Sequence, residues 1–345
     1  MLDLLEKLCA LDGVSGHEDA VRTFVLSEIS EHADCREDAL GNIIAHKKGK
    51  KPAKTRLMLD AHMDEVGLIV TAANDDGALS FACAGGVSPA AVFGRRVKIG
   101  GITGVIGGKA VHNLSDAERK TPPKWGELRI DIGARSKDEA LGAVKIGAAA
   151  VFDSDYIEFG DGLVKARALD DRAGCAILIS LIQSELEYDM TFTFTVQEEL
   201  GSRGAKTAAF ALAPQAALII EATTAADIAD VPGDEKVCFL KKGPVLSFMD
   251  HGTVYDRALY DLVYETAAEN SLPCQPKLAV AGGNNAAAVH VSKTGVRTLA
   301  VSLPCRYLHS GSCVIAKSDL SGTAALVKAA AEKIAGEQMM KGCPA

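Results

Sequence analysis

The sequence predicts an α/β protein whose sheet domain is interrupted by an inserted all-β unit, and three observations carry that reading. Short apolar runs alternate with segments of helical periodicity toward both ends of the 345-residue chain. Between about residues 66 and 165 that periodicity fades, and glycine-rich or charged turns separate short β-like pieces. Polar residues with metal-ligand chemistry stand where the apolar runs end, the place where open α/β sheets bind their ligands.

In chain order, Val21, Phe24, Val25 and Ile29 recur at helical spacing after SGHED (15–19), which reads as a capped helix start. RLMLDAH (56–62) is an apolar run ending in polar residues, the profile of a buried parallel strand. VGLIVTA, RRVKIGG, GVIGGKAV, ELRIDIG and AAAVF are the β pieces of the insert. After Leu169 the alternation returns: CAILISLIQSEL as helix, MTFTFTV as strand, GAKTAAFAL as helix and AALIIEA as strand. RALYDLVYETAAEN then reads as helix, VRTLAVSLP as strand and DLSGTAALVKAAAEKIAG as a closing helix. Residues 1–65 and 166–345 are assigned to one discontinuous domain and 66–165 to the insert. No repeat of 20–50 residues and no low-complexity linker interrupts this plan.

Composition narrows the class of function. Hydrophobic residues at 48% and charged residues at 24% are globular values, and the length suits about two domains with a large core. A net charge of −8 disfavours a nucleic-acid or anionic-membrane surface. The longest apolar stretches fall well short of the roughly 18–20 residues that cross a bilayer. The amino-terminal residues lack a basic-then-apolar signal pattern. Nine cysteines without close CxxC pairing read as reduced thiols, so a cytoplasmic location is expected.

Four strand ends carry the candidate chemistry. In DAHMDE (60–65), His62 and Asp64 are two apart, so an extended chain puts both on one face. One can bind a metal while the other orients it through a hydrogen bond. Asp170 and Asp171 open a helix in ALDDRAGC, Glu198 and Glu199 follow a strand in TFTVQEELGSRG, and Glu221 closes ALIIEA. RYLHSGS supplies His309 beyond a further strand. Each piece alone has a plainer account: a hydrogen-bonded histidine, a solvated acidic pair, a helix cap with favourable charge on the dipole. Together they would converge in one crevice, where so many carboxylates repel one another unless divalent cations are present. Mixed histidine and carboxylate ligation suits zinc, cobalt or manganese better than calcium.

The ordered set HMDE, ALDDRAG, QEELGSRGA, IEATTAAD and RYLHS closely resembles the dinuclear-metal aminopeptidases of the glutamyl, deblocking and tetrahedral aminopeptidase family, peptidase family M42. Some members of that family carry cellulase or endoglucanase names. LGNIIAHKKG, IDIGARSKDEA and GGNNAAAVHVSKTGVRTLAVSLPCRY extend the resemblance over nearly the whole chain. It implies a three-layer α/β/α phosphorylase/hydrolase-like catalytic domain with an inserted β-barrel dimerisation domain. It also implies homo-oligomers, from dimers to a tetrahedral dodecamer, that act on peptides.

Carried over residue by residue, the resemblance makes Asp170 the carboxylate bridging two divalent metal ions, zinc or cobalt. His62 and Glu221 would complete one site, and Glu199 and His309 the other. Glu198 would be the general base, Asp64 the partner of His62, and Asp171 a support of the turn. The Asp170–Asp171 peptide should be cis. Three positions depart from the family pattern: Glu221 for the usual Asp, Asn285 in GGNNA for the Asp of GGTDA, and Cys313 in HSGSC for the Glu of HSPSE. None removes a metal ligand, and the last two bear on substrate preference and assembly.

The implied reaction is metal-assisted removal of amino-terminal residues, Glu198 taking a proton from water and returning it to the leaving amine. Rival readings fit less well. A glycosidase needs two facing carboxylates but no histidines. A serine hydrolase would need a GxSxG elbow, which is absent. A Cys–His enzyme rests on cysteine counts alone. The remaining alternatives are a deacylase or carboxypeptidase with the same metal core, and a non-catalytic metal-binding assembly protein.

Overall fold

The computed structural model describes residues 1–338 and bears out the α/β plan with an inserted barrel. An eight-stranded sheet runs in the order Asp34–Glu37, Ile43–Lys47, Met190–Thr195, Leu57–His62, Ala216–Thr224, Arg297–Cys305, Val245–Leu246 and Gln275–Pro276. The four central strands from Met190–Thr195 to Arg297–Cys305 are mutually parallel, so their carboxyl ends share one edge. Every residue from Leu57 to His62 is buried, because helices cover the sheet on both faces. The helices Leu169–Gln183 and Lys317–Gly336 pack on the central strands and on each other, and Arg203–Leu212 packs on Met190–Thr195.

Register places the chemistry. Thr195 pairs with His62 across one side of the Leu57–His62 strand. On the other side Ile219 pairs with Asp60, which sets Glu221 level with His62. The expected capped start before Val21 takes a different form. The helix is Asp19–Ile29, its first turn has no side-chain cap, and the Ser15 hydroxyl is engaged elsewhere, by Asp64.

The inserted unit is a closed barrel of six antiparallel strands lying between Gly67 and Phe152. It has its own apolar cluster, including Leu68, Val70, Leu79, Val97, Ile106, Ile130 and Phe152, apart from the sheet core. The hairpin Ile157–Phe159 and Leu163–Ala166 lies outside the barrel, in a three-stranded sheet with Cys313–Ala316. The cysteines among the described residues are free thiols; Cys343 lies outside them. No helix among the described residues is long and apolar enough to cross a membrane.

Candidate metal centre

The carboxyl edge of the parallel strands gathers the predicted residues at one end of a cleft of about 540 Å³. At its centre is Asp170, with one carboxylate oxygen toward each histidine. His62 Nε2 lies 3.3 Å from Asp170 Oδ1, and His309 Nε2 lies 3.6 Å from Asp170 Oδ2. His62 Nε2 is also 3.5 Å from Glu221 Oε1, and His309 Nε2 is 3.4 Å from Glu199 Oε2. The Asp170–Asp171 peptide is cis, as the resemblance implied. Asp171 is fully buried, and its Oδ1 accepts a hydrogen bond from the Gly174 amide at 2.9 Å. The Asp171 carboxylate also comes within 4.8 Å of His62 and Glu221, so it stands nearer the cluster than a turn support need be.

The other ring nitrogen of each histidine has a carbonyl acceptor. His62 Nδ1 is 3.1 Å from the Asp64 carbonyl and 3.4 Å from Asp64 Oδ1. His309 Nδ1 is 2.9 Å from the carbonyl of Gly86, a barrel-unit residue. These contacts suit an Nδ1–H tautomer with Nε2 free to bind a cation. Asp64 joins two of the strand-end segments: its Oδ1 accepts from the Glu198 amide at 2.9 Å, and its Oδ2 from the Glu199 amide at 3.1 Å and the Ser15 hydroxyl at 2.6 Å. The position that looked like half of a His–Asp pair therefore also fixes where both glutamates begin.

Electrostatics explain why the cluster calls for cations. Burial pushes Glu198 up to about 7 and Glu199 up to about 8, with the Asp170 charge adding to both. Burial likewise holds Asp171 and Glu221 well above the usual carboxylate range. Asp170 is buried too, but the neighbouring His309 and His62 rings outweigh that and hold its carboxyl well below the usual range. His309 is raised to about 10, chiefly by the Asp170 carboxylate beside it. The buried atoms Asp170 Oδ1 and Asp171 Oδ2 have no hydrogen-bond partner among the described residues. Oxygens left bare in this way cost several kcal/mol unless a cation meets them. The donor set fits a divalent metal: His62, Asp171 and Glu221 form one group with ligand atoms within 4.8 Å, and Asp170, Glu199 and His309 another.

Two features of the site escaped the sequence reading. The barrel loop at Gly85–Gly86 presses on the Glu199 and His309 side. A Cβ on Gly86 would sit 3.2 Å from His309 Nδ1, and one on Gly85 would sit 3.1 Å from Glu199 Cβ. The adjacent glycines ahead of Pro89 were the only signal, and a turn explains them equally well. Lys277 and Asn284 also line the cleft, Lys277 directly after the edge strand Gln275–Pro276, where no periodic pattern pointed.

Comparison with known proteins agrees with this geometry. The sequence model of the M42 glutamyl aminopeptidase family matches residues 41–326. The lysyl aminopeptidase of Pyrococcus furiosus is 31% identical over 346 aligned residues, 96% of this chain and 97% of that enzyme. An aminopeptidase structure from the archaeon Desulfurococcus kamchatkensis superposes with a TM-score of 0.91 at 32% identity, covering 96% of this chain and 94% of that one. The TET1 peptidase of Pyrococcus horikoshii, which can assemble into a tetrahedron or a large octahedral shell, gives 0.84 at 35% identity over 97% and 99% of the two chains.

Proposed function

The chain belongs to the M42 glutamyl aminopeptidase family and is a metal-dependent aminopeptidase, and from that premise we propose how its own residues divide the work. The observation that carries the proposal is the placement of Asp170 between His62 and His309, one oxygen toward each. Two divalent cations, zinc or cobalt, would be held here, one by His62 and Glu221 and the other by Glu199 and His309, with Asp170 shared between them. Asp171, close to the His62 group, supports that side through its bond from Gly174. When bound, such a pair of ions polarises a scissile carbonyl and lowers the pKa of water.

Glu198 is the general base. It lines the cleft beside Glu199, its amide is anchored by Asp64, and its Oε1 is 3.4 Å from the Ser202 hydroxyl. It accepts the proton of the attacking water and delivers it to the departing amine, which requires a carboxylate free of other strong donors. Asp64 positions both His62 and the glutamate pair. The acidic wall formed by Glu198, Glu199 and Glu221 attracts the free α-amine of a peptide, which restricts cleavage to the first residue.

The unit at 66–165 serves as the pairing domain of a homo-oligomer, a reading supported by the shell-forming TET1 relative and by the barrel's separate core. Free thiols suit a reducing, cytoplasmic setting. Turnover of aminoacyl anilides tests the activity. Chelator should abolish it, zinc or cobalt should restore it, and an acylated amino terminus should block it. Turnover of the acylated substrate instead would make the enzyme a deacylase.

A further inference from the structure

The SGHED segment (15–19) reads as a helix start, yet its polar groups reach toward the metal centre. Glu18 is 4% exposed. Its Oε1 accepts from the Gly16 amide at 2.8 Å and, across the fold, from the Gln197 amide at 3.1 Å. Asp64 takes the next two amides, that of Glu198 on Oδ1 and that of Glu199 on Oδ2. Three consecutive N–H groups thus end on two buried carboxylates, one from each of two other segments. The segment that carries Glu18 is itself fastened. The Ser15 hydroxyl donates to Asp64 Oδ2, the Gly13 amide donates to Glu65 Oε1 at 3.2 Å, and the Glu65 amide donates to the Gly13 carbonyl at 2.9 Å.

Gln197 is the first of the three, and its φ of 54° lies in the left-handed region, which a residue with a Cβ rarely adopts. Such a conformation persists where the surroundings fix it. The Arg203 amide holds the Gln197 carbonyl at 3.2 Å, and Glu18 holds the amide. The chain takes its direction into Glu198 at this residue, so a shift there moves the Glu198 side chain within the cleft. We propose that Glu18 is a positioning residue for Glu198: by holding the Gln197 amide it fixes the left-handed turn that aims the base at the attacking water. This inference rests on Glu198 being the base. Glu18 acts through main-chain amides and exchanges no proton with the substrate.

The test uses the full-length, metal-loaded protein and the aminoacyl p-nitroanilide that the parent turns over fastest. Glu18→Ala should lower kcat by about 10- to 100-fold with KM within about threefold of the parent, the scale of a misplaced catalytic group. Metal content should match the parent, because the Glu199 amide stays on Asp64. Glu18→Gln keeps an oxygen acceptor for the Gln197 amide and should hold kcat within about threefold of the parent. Glu18→Asp keeps the charge but is one methylene short. It should show a smaller loss of the same kind, and it carries the test where the alanine variant does not fold. In a Glu198→Gln background, Glu18→Ala should cause no further loss, since only the base transmits its effect. A full further loss in that background overturns the proposal, as does parent-level kcat in both Glu18→Ala and Glu18→Asp. An equal loss in Glu18→Gln overturns it too, and so does loss of metal in Glu18→Ala, which would place Glu18 behind Glu199 instead. Parent-level turnover in Glu198→Gln alone would remove the base assignment itself, and this proposal with it.

Discussion

Asn285 donates its side-chain N–H to the Asp60 carboxylate at 2.8 Å, in a buried corner directly behind the His62 strand end. The same amide reaches the Thr195 hydroxyl at 2.9 Å. The charge missing from GGNNA, relative to the family pattern, is thus present across the contact, on Asp60. Burial pushes Asp60 up to about 6 against the hydrogen bonds from Thr193, Asn285 and Thr195. Asn285→Asp would set two carboxyls together where one already resists ionisation. A carboxyl whose pKa rises on folding holds its proton more tightly in the native state, so stability falls as pH climbs from the unfolded toward the folded value. The variant should therefore lose about 1–3 kcal/mol at pH 8 and less near pH 5.5. The swap Asp60→Asn with Asn285→Asp should recover most of the loss. Thermal unfolding of the four proteins closes the cycle, and additive losses in the double variant would show that the pair is not coupled.

Glu198 and Glu199 are adjacent but should fail differently. Glu198→Gln keeps the shape and the backbone bond to Asp64, while removing proton acceptance. Metal content should stay near that of the parent and turnover should fall about 10²–10⁴-fold. Glu199→Gln should lose metal first and activity through it, since Glu199 Oε2 faces His309. Metal analysis beside kinetics separates the two. Metal loss in Glu198→Gln with retention in Glu199→Gln would mean the roles are reversed.

The parts of this molecule that were legible in the sequence are those whose neighbours are set by burial on two faces. Leu57–His62 reads as a buried strand because both faces are covered, and its polar end marks the sheet edge where ligands gather. The order of motifs then brought His62, Asp170, Glu199, Glu221 and His309 into view. What stayed hidden depends on partners far along the chain. Ser15 looked like a local helix cap, yet its hydroxyl serves Asp64, 49 residues away. Lys277 follows a strand of two residues, too short to show a period, and its setting comes from loops that sequence spacing does not describe. The Gly86 carbonyl reaches His309 across the boundary between the barrel and the sheet, a contact that no local pattern encodes.

Removing metal should weaken the fold as well as the chemistry. Asp170 Oδ1 and Asp171 Oδ2 are buried without hydrogen bonds, and burial holds Glu199 and Glu221 above the usual carboxylate range. Chelation should lower the melting temperature. Added zinc should raise it again in a concentration-dependent way, each site adding about 2.7 kcal/mol of stability at a hundred times its dissociation constant. Differential scanning calorimetry at fixed protein concentration reads this directly. A melting curve indifferent to chelator and zinc would show that the carboxylate cluster is not stabilised by cations.

The barrel should matter to the metal centre and not only to pairing. Gly86 lies just beyond the barrel strand Leu79–Ala84 and gives its carbonyl to His309 Nδ1, while Gly85 sits against Glu199. The same side of the cluster has the more open histidine: the His309 side chain is 38% exposed, against 2% for His62. Its orientation therefore leans on the barrel loop. Gly86→Ala places a methyl 3.2 Å from His309 Nδ1, tight enough to turn the ring. The predicted result is metal affinity reduced about 10- to 100-fold at one of two sites, the scale seen when a ligand's hydrogen-bond partner is disturbed. The oligomer should be unchanged by this single substitution. Deleting the barrel, residues 67–152, should instead remove both the oligomer, read by light scattering, and the metal on the His309 side, while far-ultraviolet circular dichroism still reports the α/β domain. A full-length monomer would refute the pairing role. Two equally tight metals in Gly86→Ala would refute the coupling between barrel and His309, leaving pairing untouched.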